Sequence, residues 1–336
     1  MRSLARLFPG ALDRAIVLGG PAFFWLFLFF AVPLGIMVVI SFAERGPYGT
    51  IVYRFLPAGE TGTPATDSPT SKSARAAETP PAPGVLGHLL RNYGRAFDPL
   101  YLKIYWRSLV IAGITTLFCL VLGYPVAYYI ALKAPPSWRG VLLMLVVIPF
   151  WTSFLVRTYA WMLILRNDGL INTGLFKLQA VLSGCGLTGA ASLLDPPYGL
   201  LYNDFAVLVG LIYGELPFMI LPLYASIQKL DLSLLEASQD LGATPLQSFF
   251  WVTLPLTKPG VMAGVIFVFI PSIGNFVVPD LLGGSKTIMV GNLIQNQFVF
   301  TRDLPFGSAV CFLLTALVLA VLYVNARVSG RQEEGA

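Results

Sequence analysis

Six stretches of the chain are apolar for long enough to suggest a hydrocarbon surrounding: 16–42, 106–132, 140–165, 205–227, 260–278 and 306–326. A helix needs roughly 20 predominantly apolar residues to cross a bilayer, and all six runs are of that order. The pattern predicts an all-α polytopic membrane protein with six transmembrane helices. The second and third runs are joined by the short turn 133–139, which makes them antiparallel neighbours. Pro271 and Gly274 interrupt the fifth run. The first follows Arg2, Arg6 and Arg14. A signal peptide has a shorter apolar core ending in small residues, so this run reads as an uncleaved first helix.

Composition agrees. Of 336 residues, 56% are hydrophobic and 12% charged, against about 25% charged in soluble proteins. The mean hydropathy is +0.73. The balance of 22 Lys and Arg against 17 Asp and Glu is basic, but the charges sit in short groups between apolar runs. A nucleic-acid-binding protein would gather them on one face, so no nucleic-acid partner is expected and the partner surface is lipid. Arg2, Arg6, Arg14, Lys133, Arg139, Lys229, Lys258, Arg327 and Arg331 flank the runs on one side. The shorter opposite loops hold Arg166, Lys177, Lys286 and Arg302. The positive-inside rule makes the first set cytoplasmic, with both termini inside. Trp25, Trp106, Trp138, Trp151 and Trp161 read mostly as interface anchors.

The expected domains are a flank and first helix over 1–42, an extracytoplasmic loop over 43–104, a five-helix core over 105–326 and a tail over 327–336. Within the outer loop, 57–83 is rich in Pro, Ser, Thr, Ala and Gly. Such a stretch buries too little apolar surface to offset its ordering entropy, and it is expected to be disordered. Cys119, Cys185 and Cys311 show no metal or disulfide spacing, and His88 is a lone loop histidine.

The most informative polar stretch is 229–258. Ser233 and Glu236 have the spacing of a capping box, and Leu234, Leu235, Ala237, Ser238 and Leu241 follow helical periodicity. Gly242 is placed to end that helix. Thr244, Pro245 and Gln247 then signal a second start, and Pro255 is placed to end it. The loop is therefore two short helices joined at a glycine, and Ala237 and Ser238 are small enough for close approach by another surface. Helix signals alone leave open whether it is a docking site or packs on its own protein.

The spacing Glu236-Ala237-Ser238, three residues, Gly242, nine residues, Val252, one residue, Leu254-Pro255 resembles the EAA loop of binding-protein-dependent ABC importer permeases. Ser238 stands for the second Ala and Val252 for Ile. Gly123-Tyr124-Pro125, Arg107-Ser108, 149–153, 156–161, 216–218, 279–284 and 291–295 resemble permeases of spermidine/putrescine importers, over roughly 90–325. The resemblance implies a type I importer permease fold in the bacterial inner membrane. It also implies a cytoplasmic ATPase dimer, a second permease and an extracytoplasmic solute-binding protein as partners. Glu236, Ala237, Ser238, Asp240, Leu241, Gly242 and Ala243 would couple this chain to the ATPase. The ligand implied is a polyamine.

Charges inside spans are costly and default to functional roles. Glu215, beside Tyr213, Pro217 and Pro222, would suit a cation in transit. Arg157 is expected to pair with an acid or carbonyls near an outer gate. Trp151, Asn275 and Asp280 join them as candidate pathway or gate residues. Irregular backbone at membrane depth lines water or packs on protein, which places Pro271, Gly274, Asn275, Pro279 and Asp280 at the pore or gate. Related permeases tend to carry an acid where Asn275 stands and often lack one at Glu215. No G-x-x-x-x-G-K-[ST] phosphate loop occurs, and no nucleophile–base set is visible, so the chain is not an enzyme. It binds no cofactor of its own; ATP and magnesium belong to the partner. The alternatives are a permease of the same kind for a different solute, or an ion-coupled secondary transporter, although the inverted repeats common in that class are not evident.

Overall fold

The computed structural model describes residues 11–45, 51–52, 91–184 and 198–333. The 57–83 insert, His88 and Cys185 lie outside them. The described chain is helical apart from one two-residue antiparallel strand pair, β1 (Glu44–Arg45) with β2 (Ile51–Val52). The helices are α1 (Ala11–Ser41), α2 (Arg91–Ala96), α3 (Pro99–Tyr128), α4 (Pro136–Val147), α5 (Phe154–Leu165), α6 (Leu170–Gly184) and α7 (Asp204–Ile227). After them come α8 (Leu232–Asp240), α9 (Pro245–Ser248), α10 (Leu254–Leu256), α11 (Lys258–Gly274), α12 (Val290–Val299) and α13 (Leu304–Glu333). They fall into two compact units. The smaller takes 1–98 and 296–315, the larger 99–295 and 316–336.

In the larger unit, α3, α7 and α11 pack on one another. Arg107 of α3 meets Asp204 of α7 near one end, and Gly123 meets Met219 and Ile220 further along. These two helices therefore run parallel. Gly264 lies against Met219 and Gly260 against Ser226, so α11 runs opposite to α7. Hydrocarbon gives no hydrophobic drive for helices to associate, and small residues that let backbones approach supply packing instead. Gly123, Gly260 and Gly264 are those residues here. Cys119, Tyr124, Met219, Leu223 and Val268 fill one buried cluster between the helices; Ile111, Val207, Leu211 and Leu282 belong to a second.

Three predicted spans appear as single long helices: α3, prolonged to Lys133 by a π turn, α7, and the apolar part of α13 over Leu304–Tyr323. The third predicted span does not. The axis turns by 88° between Pro136–Trp151 and Phe154–Ser183. Pro149 supplies no N–H and crowds the turn before it. The chain leaves the helix at Thr152, whose hydroxyl donates to the Pro149 carbonyl at 2.7 Å. The fifth span is broken as the sequence suggests: α11 ends at Gly274, and a π turn (Pro279–Gly283) and a 3-10 turn (Gly284–Lys286) follow before α12.

In the smaller unit, Asn92 of α2 donates to the carbonyls of Ser41 and Ala43, at 2.8 and 2.9 Å, satisfying main-chain oxygens at the end of α1 and just past it. Asp303 caps α13 through the Phe306 N–H and pairs with Arg95 at 3.1 Å.

The close approach at Gly260 gives a measurable consequence. A Cβ there would collide with the Ser226 side chain and lie 2.9 Å from the Pro222 carbonyl oxygen. Gly260→Val is expected to cost about 1–3 kcal/mol by overpacking, read as a lower midpoint in thermal unfolding of the detergent-solubilised protein. Gly113→Ala, with open space around the added methyl, should leave the midpoint near wild type.

Candidate functional site

The segment joining α7 to α11 forms an elbow at one end of the larger unit. Helix α8 begins at Asp231, whose carboxylate accepts the Ser233 N–H at 3.0 Å. The N-cap is therefore Asp231, not the Ser233–Glu236 box read from spacing; Asp231 offers its carboxylate two residues earlier and fills that role. The Ser233 N–H holds the Asp231 carboxyl below its usual range. The cap is thus in place at neutral pH and weakens only as pH falls through the lowered value.

Gly242 ends α8 with φ +86°. Its N–H donates to the Gln239 carbonyl at 2.8 Å, and the Ala243 N–H reaches back to Ser238 at 3.1 Å. These two bonds make a Schellman closure, which satisfies orphan carbonyls and requires left-handed geometry at the glycine. The second start is as the sequence reads. The Gln247 N–H donates to the Thr244 hydroxyl, and the Thr244 N–H donates to the Gln247 side chain at 2.8 Å. Ser238 and Ser248 hydroxyls meet at 2.7 Å and tie the two short helices together. Pro255 does not end the second helix. A π turn over Phe249–Thr253 carries it into α10, and the break comes at Thr257, with a bend of 69° into α11. A proline in the first turn of a helical piece loses no bond, so it starts α10 rather than stopping it.

The elbow is anchored on one side and open on the other. Phe249 packs edge-on against Tyr124 and Tyr128, with ring centroids 5.2 and 6.2 Å away. Thr257 donates to the Thr253 carbonyl at 2.8 Å and accepts the Tyr124 hydroxyl at 2.7 Å. On the open side Glu236, Ala237, Asp240, Leu241 and Gly242 are exposed, and Ser238 and Ala243 are half-buried. Leu241 is 90% exposed and Trp251 81%. Between them lies a groove of about 350 Å³ lined by Ser238, Leu241, Ala243, Gln247, Ser248, Trp251 and Val252. Exposed apolar groups concentrated in this way mark interaction surfaces.

The candidate pathway residues are dispersed. Glu215 is buried at 6% exposure, and its Oε2 finds no hydrogen-bond partner among the described residues. Tyr213 and Arg157 line one small cavity between α5 and α7. Arg157 hydrogen-bonds neither an acid nor a carbonyl through Nε or Nη1, although its charge acts on Glu215. Its guanidinium lies 5.0 Å from the Phe150 ring and 5.9 Å from that of Phe154. Trp151 is exposed at the kink before α5. Asn275 follows α11 and caps the start of the next turn, its side-chain oxygen accepting the Val278 N–H at 3.1 Å, and Asp280 is exposed on that turn. Asn275, Asp280 and Trp151 do not line the Arg157 cavity.

Sequence reasoning gave no individual role to two tethers. The first is the Tyr124–Thr257 bond. The second, at the far end of α3, is Arg107, which pairs with Asp204 and donates to the Lys286 carbonyl at 2.8 Å, while Thr287 donates to Asp204 at 2.6 Å. Next to it Ser108 accepts the Val290 N–H at 2.8 Å. Their partners lie 83 to 182 residues away, beyond any local pattern. The only signal was that Arg107-Ser108 and Gly-Tyr-Pro lie in the resemblance.

Comparison with known proteins follows from this geometry. Residues 123–331 match the family described as "Binding-protein-dependent transport system inner membrane component". The chain is 45% identical over 238 residues to the spermidine/putrescine transport system permease protein PotB of Haemophilus influenzae, covering 71% of this chain and 78% of that one. It is 44% identical over 240 residues to the protein of the same name from Escherichia coli, covering 71% and 82%. Among solved structures, a chain of the bacterial alginate ABC transporter in complex with alginate pentasaccharide-bound periplasmic protein aligns with a TM-score of 0.65 and 16% identity. That alignment covers 97% of this chain and 98% of the other, and shows a shared fold.

The Tyr124–Thr257 bond is open to a double-mutant cycle. Tyr124→Phe and Thr257→Val should each destabilise the solubilised protein, with a coupling of about 1 kcal/mol between them. Strict additivity in thermal unfolding would mean that the hydroxyl contact contributes nothing.

Proposed function

This chain belongs to the family of binding-protein-dependent transport system inner membrane components, and on that footing we propose that it lines the path by which an ATP-driven importer moves a polyamine. It is a transport subunit of the type I importer permease fold and not an enzyme. Two relatives named as spermidine/putrescine permeases, at 45% and 44% identity, support the cargo. The observation that carries the mechanism is the elbow: a rigid turn with Leu241 and Trp251 facing outward beside an open groove.

The partners are a cytoplasmic ATPase dimer, a second permease and an extracytoplasmic binding protein that delivers the ligand. ATP and magnesium are bound by the ATPase. The elbow lies at the cytoplasmic face, as the Lys and Arg flanks indicate, with both chain termini on the same side. Glu236, Ala237, Ser238, Asp240, Leu241, Gly242 and Ala243 seat in the motor. Closure of the ATPase pair displaces the elbow. Phe249 and the Tyr124–Thr257–Thr253 bonds pass that displacement to α3 and α11. The equilibrium between inward- and outward-facing arrangements is thereby biased by nucleotide. Glu215, Tyr213, Arg157, Trp151, Asn275 and Asp280 contribute to the path or its gate.

Gly242→Pro tests the coupling. Proline fixes φ near −65° and removes the N–H that donates to Gln239. The variant should insert and assemble, yet lose binding-protein-stimulated ATP hydrolysis and uptake by at least about tenfold, a barrier increase of roughly 1.4 kcal/mol. Wild-type stimulation in proteoliposomes would remove the elbow from the mechanism. Uptake measured against putrescine, spermidine, amino acids and sulfate tests the cargo, with the two polyamines expected to be taken up.

A further inference from the structure

A guanidinium inside a membrane span ordinarily meets a carboxylate or carbonyls, because leaving the charge unpaired there is costly. Arg157 hydrogen-bonds neither, although its charge acts on the Glu215 carboxyl. Its Nε and Nη1 are shielded from solvent and have no hydrogen-bond partner among the described residues. What surrounds the charge is aromatic. Phe150 and Phe154 present their rings at 5.0 and 5.9 Å from the guanidinium carbon. Phe150 is itself held edge-on by Phe218 at 4.8 Å, and Trp161 and Tyr213 pair at 5.5 Å in the same region. The space beside Arg157 is lined by Phe154, Trp161, Tyr213, Gly210 and Gly214 among others, and only about 10 Å³ of it is free. That is room for about one water.

A cage of ring faces is the arrangement by which proteins recognise organic ammonium groups. Here a side chain of the protein's own lies over two such rings, Phe150 and Phe154, beside the Trp161–Tyr213 pair. Resting on the polyamine reading above, we propose that the cage of Phe150, Phe154, Trp161 and Tyr213 is a site for the alkylammonium group of the substrate, and that Arg157 occupies it in this state as a tethered stand-in. On the α7 wall Gly214 has no side chain nearer than the Phe154 ring edge, 3.9 Å from where its Cβ would stand, while Gly210 is packed by Leu282 and Val278. Glu215, on the same turn as Tyr213 and Gly214, places a buried carboxyl with an unpartnered oxygen beside that wall. A tethered cation competes with a free one for the same cage, so substrate enters only in the arrangement from which Arg157 has withdrawn. The arginine thereby shuts the path to amines while the importer rests.

The test uses the complete importer, purified in detergent without nucleotide or binding protein, and radiolabelled putrescine as probe. Arg157→Gln should bind putrescine at least about tenfold more tightly than wild type, about 1.4 kcal/mol. Arg157→Lys keeps a tethered cation and should stay weak. Adding Tyr213→Leu to Arg157→Gln should return binding to the wild-type level. An assembled Arg157→Gln complex that binds no better than wild type overturns the proposal. Should that variant not assemble, the complex with Arg157 intact, trapped with ATP and vanadate, carries the same question. There Tyr213→Leu should weaken putrescine binding about tenfold, and unchanged binding overturns the proposal. Putrescine uptake by the wild-type complex with its binding protein is measured alongside. No uptake would remove the polyamine reading and the cage with it; uptake beside an unaltered Arg157→Gln would remove the cage alone.

Discussion

Close approach of α3, α7 and α11 at three glycines is the constraint on which the larger unit depends. Gly123 admits Met219 and Ile220, Gly264 admits the Met219 sulfur, and Gly260 admits Ser226 and the Pro222 carbonyl. Without side chains at these points, the backbones come near enough for dispersion to hold the helices together in a solvent as apolar as they are. The contact fixes the axial register of three helices at once. Everything at the ends of those helices inherits that register, including the elbow and the loop held by Arg107.

The ends are joined to this core in different ways. At one, a phenol, the Thr257 hydroxyl, the Thr253 carbonyl and a stack of aromatic edges bind the elbow to α3. At the other, Arg107, Asp204 and Thr287 clasp the turn before α12 to the starts of α3 and α7. Force applied to the elbow therefore meets a short, polar-pinned connection rather than a flexible strap. Such a connection shifts between discrete packings more readily than it stretches.

Much of this was legible in the sequence. The helix starts at Thr244 and the stop at Gly242 were readable because caps are local and their chemistry is written within four residues. The break after Gly274 was readable for the same reason. Less local features were not. The 88° turn at Thr152 and Ser153 depends on how an apolar run is divided, and apolarity does not record direction. Arg157 was expected to seek oxygen because charge usually does; its aromatic surroundings come from Phe150 and Phe154, whose ring positions depend on the kink between them. The cap of α8 was misplaced by two residues because Asp231 and Ser233 both carry capping oxygens, and only the backbone angles choose between them.

The Schellman turn is closed by main-chain groups: the N–H groups of residues 242 and 243 and the carbonyls of 239 and 238. No atom of the Leu241 side chain takes part, although that side chain is the most outward-facing of the exposed large apolar groups. Shape and surface chemistry are thus separable at this position. The residue at 241 is free to vary, or to carry a spectroscopic reporter, while the bend itself keeps its form.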